Sequence, residues 1–174
     1  QIAYKGVQKK ETVVLREQLA IAAEFREGVN IVDYQLTQTN VSGVKLELPA
    51  YRYGGPLAWR GPLGWNAGNS DYLTSSGKKR ADSHQSRAQW ITVHGPAGTG
   101  EVSVLFLCHP SNFDAPQRLR TWPDGKMFLN WVPVQERPFA IGAGDSITWR
   151  FRVIVADDLL SADDQEKWWA DYAK

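Results

Sequence analysis

An all-β chain, an antiparallel sandwich closed by one carboxy-terminal helix, is the fold class this sequence predicts. Three observations lead there: several segments alternate apolar and polar residues, turn signals separate them at short spacing, and only the last dozen residues carry a helix signature. The chain has 174 residues and 19.5 kDa, the length of one domain able to bury a core without disulfides or metals. The expectation is a single sandwich spanning residues 1–174, or the second half of a larger one.

The elements follow in order. From Leu15 to Phe25, Leu15, Leu19, Ile21, Ala23 and Phe25 form one apolar face, interrupted only by Glu17, which predicts a long half-buried strand. Glu27-Gly28 supplies a turn, and Ile31 to Gln38 alternates again, so the two make an antiparallel hairpin. Val44, Leu46 and Leu48 predict a third strand, ended by Pro49. Tyr51 to Lys79 holds six of the fifteen glycines, two prolines, two tryptophans and few aliphatic residues, and reads as a long functional loop rather than core strands. Ala88 to His94 and Glu101 to His109 make a second hairpin about the Gly95–Gly100 turn. A loop from Pro110 to Pro123 leads to Met127–Val132 and Phe139–Ile141. Ile147, Trp149, Phe151, Val153 and Val155 then alternate with Thr148, Arg150, Arg152 and Ile154, where only Ile154 breaks the polar face. Ser161 with Asp164 three residues on resembles a capping box, predicting a helix to about Tyr172 in which one ring of the Trp168-Trp169 pair packs the helix onto the sandwich.

Composition excludes several functions. Lys+Arg 20 against Asp+Glu 19 leaves a net charge of +1 and no overall field for nucleic acid or an anionic membrane. The nearly continuous apolar run Val102 to Cys108 is far short of the roughly 20 residues of a membrane span, so a soluble protein is expected, in cytoplasm or periplasm. One cysteine, Cys108, forbids an internal disulfide. His84, His94 and His109 share no metal-ligand spacing, so no metal and no cofactor is assigned. Gly95–Gly100 lacks the lysine of a phosphate loop and precedes a strand, as a hairpin turn does. Gln1 stands where an initiator methionine would, and the expectation is a processed or truncated product. Eight Trp, six Tyr and six Phe are the unusual count, implying either a heavy core or a sugar-binding surface.

Candidate functional residues sit in the loops. His109 ends an apolar strand beside the polar Ser111-Asn112, where a strand fixes an imidazole and a loop leaves it reachable; it is the candidate catalytic proton carrier, against the alternative of a histidine bonded to its own turn. Trp59 and Trp122, with Tyr51 and Tyr53, offer flat faces for a sugar ring. Arg60, Lys78, Arg80 and Asn112 are the candidate substrate-binding donors. Arg60, Lys78, Arg80, His109 and Asn112 are expected to converge at one end of the sandwich.

Several blocks in one order carry a family resemblance: Tyr51-Arg52-Tyr53-Gly54-Gly55 with Ala58-Trp59-Arg60-Gly61, Leu73–Lys78 with Arg80, Ser86-Arg87-Ala88 before Trp90, and His109-Pro110-Ser111-Asn112 followed by Leu119-Arg120 and Trp122-Pro123. Together they resemble the bacterial family catalogued as PmoA-like. The methane oxygenase in that name is membrane-embedded and does not suit this chain. The resemblance implies a sandwich similar to galactose mutarotase-like folds, a carbohydrate-binding or carbohydrate-processing role and, in longer members, a preceding half with a His-Pro-His-His-Arg-Gly block that this chain lacks. A non-catalytic accessory module and a subunit-contact module, pairing with such a half or with a second copy, are the alternatives to a saccharide-acting protein.

Overall fold

The computed structural model describes residues 2–5 and 11–174. Seven strands form one antiparallel sheet: β1 (Ile2–Lys5), β2 (Glu11–Arg26), β3 (Val29–Asn40), β6 (Asp71–Thr74), β7 (Trp90–Ala97), β8 (Gly100–Cys108) and β12 (Ser146–Ala156), in the spatial order β1-β2-β3-β12-β8-β7-β6. A three-stranded sheet of β5 (Leu57–Arg60), β10 (Phe128–Trp131) and β9 (Leu119–Thr121) packs on one face of it. The pair β4 (Leu46–Leu48) and β11 (Phe139–Ile141) stands beside that small sheet. The helix α1 (Ala162–Tyr172) covers part of the opposite face. The fold is an all-β antiparallel sandwich with one terminal helix, as the alternation predicts.

The expected antiparallel hairpin of β2 and β3 forms, with a register running from Leu19 opposite Leu36 to Phe25 opposite Asn30, about a turn in which Glu27 and Gly28 both take positive φ. On β12, Trp149, Phe151 and Val153 point toward the small sheet, into a core with Leu36, Ile91, Val93, Phe106, Leu119, Leu129 and Trp131. Ile154, the apparent flaw in that strand's polar face, belongs to a second core. It packs with Val29, Ile31, Trp90, Leu105 and Leu107 beneath Leu160, Trp168, Trp169 and Tyr172. The nearly continuous apolar run of β8 has the same cause, because a strand covered on both sides needs no polar face.

The helix cap is formed as predicted. The Ser161 hydroxyl accepts the Asp164 backbone N–H at 3.1 Å and donates to the Asp164 carboxylate at 2.6 Å. Trp168 and Trp169 both pack on the sheet, and the Trp169 indole N–H reaches the Cys108 carbonyl at 3.3 Å. Buried Gln165 accepts from the Thr92 hydroxyl at 2.7 Å, so the helix is bonded as well as greased to the sheet.

Four readings of the sequence need correction. Tyr51–Lys79 contains core strands: β5 lies in the small sheet, β6 closes an edge of the large one, and Trp65 and Tyr72 are buried within it. Aromatic side chains supply there the burial that aliphatic residues supply elsewhere. The Pro110–Pro123 loop contains β9, and His94 lies inside β7 and is half-buried, not at a strand end. The apolar face of β2 is not half-buried: Leu19, Ile21 and Phe25 are 51%, 61% and 72% exposed, because the small sheet covers β12, β8 and β7 and stops short of β2.

This split has a measurable consequence. Truncating Phe151, fully buried between the sheets, to alanine is expected to cost about 3–5 kcal/mol, whereas Ile21→Ala on the open face changes stability by about 0.5 kcal/mol or less. Urea denaturation of both variants checks this, and equal losses would contradict the layer assignment.

Candidate functional site

The outer face of the small sheet gathers the loop aromatics and cations. Along β10, Leu129 and Trp131 point into the core, which turns Phe128 and Asn130 outward beside Arg60 of β5 and Arg120 of β9. The segment Tyr51–Gly55 crosses this face. Gly55 lies so close to the β10 backbone that a Cβ there would overlap the Trp131 carbonyl and the Asn130 side chain. That close passage sets Tyr53 over the sheet.

The result is an unbroken run of rings. Tyr51 meets Tyr53 at 6.0 Å between centroids, Tyr53 meets Phe128 edge-on at 6.0 Å, and Phe128 stacks on Trp122 at 4.8 Å. Guanidinium groups lie on these rings: Arg52 and Arg120 over Tyr53 at 5.4 and 4.9 Å, and Arg60 over Trp122 and Phe128 at 5.1 and 5.0 Å. A groove of about 340 Å³ adjoins the run, lined by Tyr51, Tyr53, Leu48, Gln38, Phe139 and Trp149. Its volume lies in the range of small-ligand sites.

Arg120 ties the platform to its neighbours. It donates to the Tyr53 hydroxyl at 3.2 Å, which holds that phenol below its ordinary value, and to His84 Nε2 at 2.9 Å. A guanidinium only donates, so His84 Nε2 accepts and the imidazole carries its proton on Nδ1, which is buried without a partner. Burial and then the Arg120 charge push the His84 pKa down. His84 is a site residue that sequence reasoning missed, since it has no motif neighbours and reaches the site only through Arg120.

The candidates named from sequence divide among several places. Arg60 and Trp122 stand on the platform. Trp59, on the same strand as Arg60 but of opposite parity, faces the core against Trp65 and Phe106. Arg80 is 8% exposed and its donors go to the Ser70, Asn66 and Trp122 carbonyls, the Ser70 hydroxyl and the Met127 sulfur, so it braces the loop that carries Trp122. Lys78 lies in the turn after β6 that Thr74 closes. Asn112 is 4% exposed and bonds both the N–H and C=O of Arg150, at 2.8 and 2.7 Å, acting as a substitute strand partner beyond the end of β8.

His109 shares that second neighbourhood. Its Nδ1 accepts the Ser111 backbone N–H at 3.1 Å and lies 2.7 Å from the Ser111 hydroxyl, which Arg150 contacts at 3.2 Å, while its ring packs edge-on against Tyr172. The bond to its own turn, one of the two alternatives, is therefore present. No described contact joins this group to Arg60, Arg80 or Trp122. Arg80 is tied to Asp71, which lies across β7 from Ser103, six residues of extended chain or about 20 Å from His109. The expected convergence is partial: Arg60 and Arg80 both meet Trp122, while His109 and Asn112 share a separate neighbourhood.

Among the described residues, no group of three or more His, Cys, Asp or Glu could hold a metal ion, and no helix is long and apolar enough to cross a membrane. A family model described as "Family of unknown function (DUF6807)" matches residues 2–170. The chain belongs to this family. Nothing in the match links the family to PmoA or to methane oxygenase, so that part of the resemblance is not supported. No curated protein and no solved structure matches the chain, so the likeness to galactose mutarotase-like folds finds no support beyond the all-β architecture itself.

Burial lowers the pKa of His109 as it does that of His84, with the Arg150 charge adding to it. A histidine whose folded value lies below the ordinary 6.5 contributes full stability above that value and loses it as pH falls toward the folded value. The thermal midpoint is therefore expected to drop between pH 7.5 and pH 5, and to drop less in His84→Gln. Melts across that range check it, and an unchanged pH slope in the variant would separate His84 from the effect.

Proposed function

We propose that this protein is a saccharide-binding module whose ligand lies on the outer face of β5-β10-β9 and enters the groove beside Tyr51 and Tyr53. The observation that carries the reading is the group Tyr51, Tyr53 and Trp122, assembled over buried Phe128, with the exposed cations Arg52 and Arg60 beside it. Sugar rings present C–H faces that pack on aromatic planes and hydroxyls at their rims that accept from guanidinium forks, and the platform offers both within one surface. It brings no pair of carboxylates of the kind that cleaves a glycosidic bond, which supports binding over hydrolysis at this face.

Affinity electrophoresis in gels containing soluble polysaccharides tests this. Retarded migration is expected for the native chain, and Trp122→Ala or Tyr53→Ala should weaken the association by about tenfold, the equivalent of about 1.4 kcal/mol. Retardation that survives both substitutions, or none with any polysaccharide, would overturn the reading.

A second reading retains His109 as a proton carrier. The 2.7 Å contact between its Nδ1 and the Ser111 hydroxyl favours it, as does the nearby groove of about 340 Å³ lined by Asp33, Gln35, Arg150 and Tyr172. Under this reading the chain turns over a saccharide, and His109→Ala abolishes turnover while leaving retardation in the gel intact. Product release unaffected by His109→Ala would eliminate it.

A further inference from the structure

Among the described residues, five of the chain's eleven arginines pair with carboxylates and six do not; of those six, Arg80 and Arg150 spend their donors on backbone and neutral side-chain groups. Arg26, Arg87, Arg118, Arg137 and Arg152 each lie within 4.0 Å of a carboxylate, Arg152 in a bidentate pair with Asp33 at 2.7 and 2.8 Å. Among the described residues, Arg52, Arg60 and Arg120 have no such partner, although three cations share one run of rings. Arg120 is engaged with Tyr53 and His84, both neutral groups. Arg52 and Arg60 make no hydrogen bond to a described residue, so all their donors are uncommitted, and their guanidinium carbons lie 5.0–5.4 Å from the ring centroids of Tyr53, Trp122 and Phe128.

Gathering like charges is unfavourable without a counter-charge. Arg52 and Arg60 are both exposed, which leaves their forks open to solvent. An open fork matches the two oxygens of a carboxylate, while the flat ring beside it matches a sugar face.

From these observations, and resting on the saccharide reading above, we infer that the ligand is acidic: a saccharide bearing carboxylates, each received by the open fork of Arg60 or Arg52 while its ring lies on the aromatic run. The specificity of the site is then set by charge as well as by ring shape. A neutral sugar would leave the cations uncompensated.

The test uses the full chain on an array of uronate-containing glycans, each printed beside its carboxyl-reduced, neutral counterpart, followed by calorimetry on the best pair. Binding to the acidic member is expected to be about tenfold tighter or more, the range of charge-assisted hydrogen bonds. Arg60→Gln and Arg52→Gln should remove that preference, Arg60→Lys should keep part of it, and Trp122→Ala should weaken acidic and neutral members alike. Equal binding of both members, or a preference that survives both glutamine variants, overturns the inference and leaves the saccharide reading standing. Silence from every glycan overturns the saccharide reading and the inference with it. Sodium acetate at equal carboxylate concentration should not displace the glycan; displacement would assign a general anion site and overturn the sugar component.

Discussion

Phe151 and Ile154 lie three residues apart on one strand and face opposite ways into two separate cores, and both are fully buried. The rest of the molecule depends on this two-sided burial of β12 and β8. Toward one side it holds the small sheet, whose inner residues Leu119, Leu129 and Trp131 fill the space over Phe151. Toward the other it holds the terminal helix through Trp168, Trp169 and Tyr172. Remove the central strands from this arrangement and neither covering layer retains a surface to pack against.

The platform is a consequence of how the small sheet is fastened. Fully buried Tyr72 donates from its hydroxyl to the Phe128 carbonyl at 2.9 Å and accepts the Phe128 N–H at 3.0 Å, locking β10 to the edge of the large sheet. Because strand side chains alternate, pinning β10 with Leu129 and Trp131 inward leaves Phe128 and Asn130 outward, where Tyr53 and Trp122 close over them. Arg80 stacks above Tyr72 at 5.0 Å and bonds the Trp122 carbonyl at 3.2 Å. A residue that resembles a ligand contact in the sequence thus serves to position Trp122.

The open face of β2 follows from the same geometry. Seven strands make a sheet wider than the three-stranded layer that covers it, so Leu19, Ile21 and Phe25 extend past the core that Trp149, on β12, helps to form. Their alternation is as regular as that of β12, and nothing local distinguishes a strand under the small sheet from one beyond its edge.

Alternation, turn residues and capping chemistry are local properties, and the sequence by itself determined what they govern. The β2–β3 hairpin, the inward face of β12, the all-β class and the Ser161 cap were legible because each depends on residues a few positions apart. The membership of Arg60 and Trp122 in an aromatic, cationic surface was legible from residue type. Tertiary structure alone decided which apolar faces find cover, that Trp59 turns inward while its neighbour Arg60 turns out, and that Arg80 and Asn112 satisfy backbone groups instead of facing solvent. It also brought His84 to Arg120 across a loop and kept His109, with Asn112, apart from Arg60 and Arg80 at Trp122. The physical reason is common to all of these. Strand parity sets only two possible directions for a side chain, and which of them is the interior depends on layers contributed by residues far away in the chain.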